Sequence, residues 1–277
     1  MRKAVKKVID ANYLQDDMLA QWLSSSNKNF AILTDYAAME AYKGDTLASI
    51  FKSMEILSHY PDQVLVLKNT STVCGMKMDM KGLRCCLLDD AQTKGFKRYC
   101  SNLRKAKNGD ITLQEVLLCL GKKANDHMAK TLRDAEIIRE AIGQIRFTYS
   151  QEERSIFRTR QPLTIAMGKK LLQHVVYVTA MLLNRHPQIQ GILTSHNFSN
   201  LFIFRYVLCS YLNTLGWISE GGAKGAKPTT IRNDLVDMNY VAFATYFDGL
   251  LTKDKKAIMI YKQAKYLLDK VIVQNKM

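Results

Sequence analysis

Five carboxylates in this 277-residue chain have the residue type and the spacing for metal chemistry. Asp10 ends the apolar run of KKVIDAN, and Asp254 ends the run of DGLLTKD. Glu40 lies one turn into the helix predicted after FAILTD, while Asp237 and Asp234 share a face of the helix predicted before DGLLTKD. Because ligands bind at the carboxyl ends of the strands of a parallel sheet, we expect these acids to converge on one cleft.

A cluster of carboxylates repels itself and is costly to hold without cations. Hard oxygen ligands suit Mg²⁺ or Mn²⁺. Two such ions roughly 3.5–4 Å apart activate a water molecule and stabilise the leaving oxygen of a phosphodiester. The pattern therefore predicts a Mg²⁺ or Mn²⁺ site that hydrolyses phosphodiester bonds.

Each acid also has a structural interpretation. A single aspartate at the end of a strand is more often a helix N-cap or a turn former. Asp35 fits a cap of the helix after FAILTD, Asp234 fits a cap next to Asn233, and Asp248 fits a turn before Gly249. The order and spacing in which the acids recur favour the metal site over these separate explanations.

The elements that must position these acids form an α/β pattern. The first seventy residues alternate as strand, helix, strand, helix, helix, strand, which predicts a parallel sheet with crossover helices. The middle of the chain is helical by period, and the last fifty residues return to a helix, a strand and a basic helix. We therefore predict an α/β domain formed by residues 1–70 and 229–277, interrupted by a mainly helical insertion of residues 71–228.

The net charge of +15, from 40 basic and 25 acidic residues, favours an acidic partner. Nucleic acid is the first candidate and an anionic membrane surface the second. The apolar stretch FSNLFIFRYVLCSYLNTLGWI contains Asn200, Arg205 and Asn213, so it predicts a buried helix rather than a membrane span. No secretory signal is visible, and six cysteines without CxxC spacing indicate free thiols, so we expect a cytoplasmic protein.

Basic residues occur among aromatic ones in two segments. RFTYSQEERSIFRTRQP predicts either a grip on single-stranded nucleic acid or, preferably, a loop with core aromatics and arginines paired to Glu152 and Glu153. KGFKRYCSNLRKAK is interpreted as a solvated run of charge. Lys253 and Lys255 adjoin the acids and are better placed to attract a phosphate backbone.

The segments VIDANYL, TDYAAMEAY and DMNYVAFATYFDGLLTKDKK resemble the PIN-domain nuclease family. The resemblance covers the first seventy and the last fifty residues. It rests on a strand ending in Asp with Asn following, a Glu on an early helix, a helical Asp followed by alanines, and a strand ending T-x-D. The matching residues are Asp10 with Asn12, Glu40, Asp237, and Thr252 with Asp254. The helical insertion is far larger than in compact members of the family.

This resemblance implies a three-layer α/β/α fold and metal-dependent hydrolysis of phosphodiesters, with RNA preferred over DNA. Asp10, Asp237 and Asp254 would bind the metal directly, and Glu40 would bind it or position the attacking water. Asn12 and Thr252 would bind phosphate or orient the acids, and Asp234 is an auxiliary candidate. Family habit suggests a toxin or an antiphage defence component. The insertion would recognise structured RNA, contact a regulatory protein or form a homodimer.

Two other functions compete with the nuclease. A phosphotransferase of the haloacid-dehalogenase type needs a second Asp two residues after Asp10, where this chain has Asn12. A non-catalytic PIN-like scaffold that binds RNA or a protein partner would have the fold without the metal. Metal binding distinguishes the nuclease from the scaffold.

Overall fold

The computed structural model describes residues 3–44, 46–76, 83–133, 135–159, 161, 163–185 and 195–272. Within these residues the strands are β1 Val5–Ile9, β2 Asn29–Leu33, β3 Val64–Val66 and β4 Leu250–Leu251. The helices there are α1 Asp17–Ser24, α2 Asp35–Tyr42, α3 Leu47–His59, α4 Thr70–Cys74, α5 Leu83–Cys86, α6 Asp90–Lys107, α7 Ile111–Arg133, α8 Ala135–Phe147, α9 Gln151–Arg158, α10 Ile165–Arg185, α11 Phe202–Ser219, α12 Pro228–Ala244 and α13 Lys255–Tyr266.

The described strands form one parallel sheet in the order β3-β2-β1-β4. Val8 of β1 is level with Ile32 of β2 on one side and with Leu250 of β4 on the other. Val8, Ile9 and Ile32 are fully buried, as expected for a parallel sheet whose two faces are both covered. The prediction of an α/β fold with a mainly parallel sheet is confirmed.

The short strand β4 is fixed to β1 by the residues that precede it. Gly249 has φ +153°, a conformation that L side chains rarely adopt. The Asp248 amide donates to the Lys6 carbonyl at 2.8 Å, and the Asp248 carboxylate accepts from the Lys6 amide at 2.9 Å and from Arg84 at 3.2 Å. Asp248 is therefore a turn residue, as predicted, and also an anchor for the register of β4.

Polar residues begin the helices that follow the strands. The Thr34 hydroxyl accepts a hydrogen bond from the Ala37 amide at the start of α2. At the start of α3, the Thr46 hydroxyl accepts one from the Ser49 amide. Asp16 caps α1 and Asp89 caps α6. Each such cap stabilises a helix by about 1 kcal/mol, so the strand-to-helix junctions are specified locally.

The chain divides into two compact units. The first comprises Met1–Val73, Lys81–Ala129 and Phe243–Ile258, and it holds the sheet. Helix α6 packs on β3 in this unit, with Phe96, Cys100 and Leu103 buried along one stripe. Helix α6 lies within the segment 71–228 that the helical period predicts to be an insertion, yet it packs on the sheet. The basic face of α6 conceals its apolar stripe in the sequence.

The second unit is helical and comprises Cys74–Met80, Lys130–Ala242 and Met259–Met277. Helix α11 is buried on nearly all sides and packs against α8, α9 and α10. Arg205 within it is 9% exposed, and its Nε donates to the Ser199 carbonyl at 3.0 Å. The prediction of a buried helix in this stretch is confirmed. Among the described residues, no helix has both the length and the hydropathy required to cross a bilayer.

Candidate active site

Asp10 follows β1 at the carboxyl edge of the sheet, where the strand order reverses. The chain moves from β1 to β2 and β3 on one side of the sheet, and β4 lies on the other side of β1. In open α/β sheets, ligands bind in the crevice outside the carboxyl ends of the strands at such a point. The residues after β1 and β4 therefore occupy the position that the topology favours for a binding site.

The side chain of Asp10 is only 3% exposed, which is unusual for a carboxylate. Its Oδ2 accepts a hydrogen bond from the Thr252 hydroxyl at 2.5 Å, and its Oδ1 accepts one from the Asn12 amide at 3.3 Å. Burial raises the pKa of Asp10, the Asp254 carboxylate raises it further, and the bonds from Thr252 and Asn12 oppose the increase. A cation beside Asp10 would remove this penalty on its charged form.

Thr252 links Asp10 to Asp254, which follows β4. The Thr252 hydroxyl donates to Asp10, and the same oxygen accepts a bond from the Asp254 amide at 3.0 Å. The Asp254 Oδ1 accepts from the amides of Lys256 at 2.6 Å and Ala257 at 3.3 Å, so Asp254 also caps helix α13. The structure thus brings Asp10, Thr252 and Asp254 together at one edge of the first unit.

Asn12 and Lys253 support the loop after β4. The Asn12 side-chain oxygen accepts a long bond from the Lys253 amide at 3.4 Å. The Lys253 ammonium lies 2.7 Å from a carboxylate oxygen of Asp16, and this contact raises the pKa of Lys253 and lowers that of Asp16. Lys255 is exposed at the first position of α13. Lys255 is therefore better available to a phosphate than Lys253.

The remaining predicted ligands lie on helices. Glu40 is half-buried in α2, a helix that packs against the 3-10 turn Ala11–Tyr13 after β1. Asp237 is half-buried in the part of α12 that belongs to the second unit, so its convergence with Asp10 stays a prediction. Within the described ranges, no three His, Cys, Asp or Glu side chains are arranged to hold a metal ion.

The pair of Asp10 and Asp254 nevertheless has the donor chemistry of a Mg²⁺ site. Mg²⁺ is usually bound by one or two carboxylates, and it keeps several waters that a substrate phosphate displaces. Both side chains offer hard oxygen atoms, and the Asp254 charge adds a smaller contribution to the rise that burial causes in the pKa of Asp10. Two adjacent carboxylates of this kind suit Mg²⁺ or Mn²⁺ better than a softer metal.

Asp234, the auxiliary candidate, has a structural role in the second unit. It is 5% exposed, and its Oδ2 accepts hydrogen bonds from the Trp217 indole at 2.7 Å and from the Asn213 amide at 3.1 Å. The interpretation of Asp234 as a helix cap is wrong, because α12 begins at Pro228 and places Asp234 in its second turn. The structure therefore uses this carboxylate to join α12 to α11.

We expect the free energy of unfolding of Asp234→Ala to be about 2–3 kcal/mol lower than that of the wild type, because the half-buried Trp217 indole and the buried Asn213 amide would lose an acceptor. Urea denaturation followed by tryptophan fluorescence measures this difference. The exposed neighbour Asn233 gives a matched control, since Asn233→Ala should change stability by no more than about 0.5 kcal/mol. If Asp234→Ala kept the stability of the wild type and lost cleavage activity, Asp234 would be assigned to the active site instead.

The first basic segment is largely structural. Tyr149 and Phe157 are buried and pack edge to face with ring centres 4.9 Å apart, so the predicted core role of these aromatics is confirmed. Phe147, in contrast, is 83% exposed. The predicted pairing of Glu153 with an arginine is wrong, because Lys170 lies 2.8 Å from it.

The arginines of this segment have different surroundings. Arg146 donates to the Gly221 carbonyl at 2.7 Å. The pKa of Glu152 is lowered mainly by the bond from the Ser150 hydroxyl and least by the Arg154 charge, so the pairing of Glu152 with an arginine stays a prediction. Arg158 lies in the last turn of α9, and Arg160 lies outside the described residues. This segment therefore gives little support to a nucleic-acid grip.

Sequence reasoning missed the role of Asp35 at the tip of β2. Asp35 is not the cap of α2, a role that Thr34 takes. Its carboxylate accepts hydrogen bonds from the Thr70 amide at 2.7 Å and the Thr70 hydroxyl at 2.8 Å. Asp35 thus ties the end of β2 to the start of α4. The sequence signal for this role is that Thr34 and Asp35 are both suitable caps for α2, and a helix needs only one.

Comparison with known proteins identifies no relative from which the role of this site could be taken. The resemblance to PIN-domain nucleases therefore stays a prediction, and it rests on Asp10, Asn12, Glu40, Asp237, Thr252 and Asp254. No protein-family model, curated protein or solved structure matches this chain.

Proposed function

We propose that this protein is a metal-dependent endonuclease of PIN-like type, which hydrolyses phosphodiester bonds and prefers RNA to DNA. The observation that carries the proposal is the buried Asp10 carboxylate, coupled through Thr252 to Asp254 at the ends of two adjacent parallel strands. At pH 7 a protein gains no stability from holding a carboxylate in a site that raises its pKa. Such a penalty is typical of functional sites.

In this proposal the roles follow from the contacts of each residue. Asp10 and Asp254 would hold Mg²⁺ or Mn²⁺, with Glu40 and Asp237 as the further predicted ligands. When bound, the ion supplies an activated water and stabilises the leaving oxygen. Thr252 is a positioning residue, because its single hydroxyl fixes the Asp10 carboxylate and the Asp254 backbone together.

The charge distribution supports a polyanionic substrate. The chain carries a net charge of +15, although its candidate site is acidic. Lys255 and Lys256 directly follow Asp254 at the start of α13. A basic surface around an acidic, metal-binding centre would hold the phosphate backbone while the ion contacts the scissile phosphate.

A non-catalytic scaffold is the second candidate, and a specific observation favours it. Both carboxylates already have ordinary structural tasks, since Asp10 accepts from the Asn12 amide and Asp254 caps α13. In that case the fold would bind RNA or a protein partner without a metal. The burial of Asp10 is the reason for preferring the nuclease, because a cap needs no buried charge.

Purified protein incubated with RNA and DNA of mixed structure tests the proposal. We expect cleavage in Mn²⁺ or Mg²⁺, faster on RNA, and none when EDTA removes the metal. Isothermal titration of Mn²⁺ into the same preparation should give saturable binding. Absence of both cleavage and metal binding would support the scaffold, and cleavage that persists in EDTA would contradict a metal mechanism.

A further inference from the structure

A second cavity opens at the same edge of the sheet, beyond the ends of β2 and β3. It has a volume of about 760 Å³, within the range of small-molecule sites. Helices α2, α6 and α7 form its walls, and all of its lining residues belong to the first unit. The cavity plays no part in the chemistry assigned to Asp10 and Asp254.

The cavity begins one strand away from Asp10. Val8 is level with Ile32, and the same register continued two residues along each strand brings Asp10 beside Thr34, which lines the cavity. Neighbouring strands lie about 4.8 Å apart. A nucleotide adjacent to a phosphate held at Asp10 could therefore place its base in the cavity.

The chemistry of the walls fits a planar heterocycle. The interior is mostly apolar and aromatic, with Phe96 and the hydrogen-bonded pair of Tyr42 and Tyr99, whose hydroxyl oxygens are 2.7 Å apart. The amide side chains of Asn69 and Gln92 also line it. Aromatic faces bind any base by stacking, and amides bond to the polar edge of a base. The Asn69 side-chain oxygen already accepts from the Thr72 amide, and the Gln92 Nε2 already donates to Asp89, so a base would bond to the other amide atom of each side chain.

Cationic groups stand among these walls. Arg98 of α6 and Lys123 of α7 are both exposed and both line the cavity. The side chain of His127 lies edge-on to Tyr36, with ring centres 5.8 Å apart. An apolar interior with a basic rim is complementary to a base that carries a phosphate.

The segment that the sequence suggested was a solvated run of charge forms one of these walls. KGFKRYCSNLRKAK lies in α6, and it places Phe96 and Tyr99 on the side of the cavity and Arg98 at its exposed rim. This interleaving of cations and aromatics is typical of single-stranded nucleic-acid sites.

We propose that this cavity binds the unpaired base of a nucleotide next to the scissile bond, with Arg98 and Lys123 holding its phosphate. The inference rests on the proposed function for the identity of the polymer. It makes single-stranded RNA the substrate class, because a base held in a duplex cannot enter the cavity.

Gly95 allows the cavity to be filled without disturbing the fold. It lies inside α6 and lines the cavity, and a Cβ built on it meets no atom within 4 Å. Gly95→Phe would occupy the space that the base needs. Gly95→Ala is the matched control, since it adds only a methyl group and favours the helix.

Binding is measured by fluorescence anisotropy with a labelled hexameric single-stranded RNA in EDTA, where no metal-dependent cleavage occurs. We expect Gly95→Phe to weaken binding at least about tenfold and Gly95→Ala to bind like the wild type. An abasic hexamer keeps the phosphates and loses the bases. The wild type should bind the abasic hexamer more weakly than the intact RNA, whereas Gly95→Phe should bind the two equally.

The results separate this inference from the nuclease proposal. Equal binding of the intact RNA by the wild type and Gly95→Phe, equal binding of intact and abasic RNA by the wild type, or no binding at all would overturn the base site. If the wild type and Gly95→Phe cleaved RNA at the same rate in Mn²⁺, the base site would be contradicted and the nuclease proposal would stand. Base-dependent binding without any cleavage in Mn²⁺ would remove the nuclease alone.

Discussion

Replacing Asp10 by asparagine is expected to reduce cleavage by at least about a hundredfold and, in the absence of metal, to stabilise the fold at pH 7. The loss of activity follows because an amide oxygen is a much weaker ligand for Mg²⁺ than a carboxylate. Asparagine has nearly the same shape, and its oxygen can still accept from the Asn12 backbone amide while its Nδ2 donates to the Thr252 hydroxyl oxygen, which reverses the direction of that hydrogen bond. Cleavage is measured by gel electrophoresis of labelled RNA at saturating Mn²⁺.

The gain in stability follows from the raised pKa of Asp10, whose cause is mainly burial. A carboxylate with a raised pKa in the folded state stabilises the fold at low pH, and that contribution is lost as the pH rises through the folded pKa. At pH 7 the wild type therefore carries the penalty of a buried charge, and Asp10→Asn does not. The advantage of the variant in urea denaturation should shrink as the pH falls towards about 4, near the ordinary pKa of an aspartate.

Asp62→Asn is the control for both measurements. The Asp62 side chain is 80% exposed, and its contact with Lys97 at 3.5 Å is between two solvated groups. Cleavage and stability should both match the wild type in this variant. Wild-type cleavage by Asp10→Asn would contradict the assignment of Asp10 to the metal.

The parts of the site that could be predicted from sequence are those with a local cause. Apolar runs ending at Asp10 and Asp254 predict strand tips, and parallel strands place such tips on one edge. The adjacency of β1 and β4, which makes the two acids a pair, has no local signal because about 240 residues separate them. It was inferred from a resemblance in the order of residues, and the structure supplies the register.

The parts that could not be predicted depend on contacts between distant segments. The cavity forms where α2 and α6 meet through Tyr42 and Tyr99. In the sequence, the run of charge in α6 obscures the apolar side of that helix. The prediction of Asp234 as a helix cap fails for a different reason. The apolar pattern starts at Ile231 and so predicts a helix start near Asp234, whereas α12 begins three residues before Ile231, at Pro228, a position where proline is favoured.

Asp254 does two things in the structure, and two substitutions at this position separate them. Asp254→Ser and Asp254→Ala both remove the carboxylate, so both should lose at least about a hundredfold in cleavage. Serine can still accept the amide bonds at the start of α13, whereas alanine cannot. We therefore expect Asp254→Ala to be about 1 kcal/mol less stable than Asp254→Ser in urea denaturation.

The comparison between the two variants is informative because everything else is shared. Both lose the repulsion that Asp254 exerts on Asp10, so this change in the pKa of Asp10 cancels between them. An inactive Asp254→Ser with an intact helix would assign the carboxylate to metal binding beyond its role as a cap. A fully active Asp254→Ser would show that position 254 needs only a helix cap. That result would contradict the nuclease proposal, which depends on two carboxylates holding the metal.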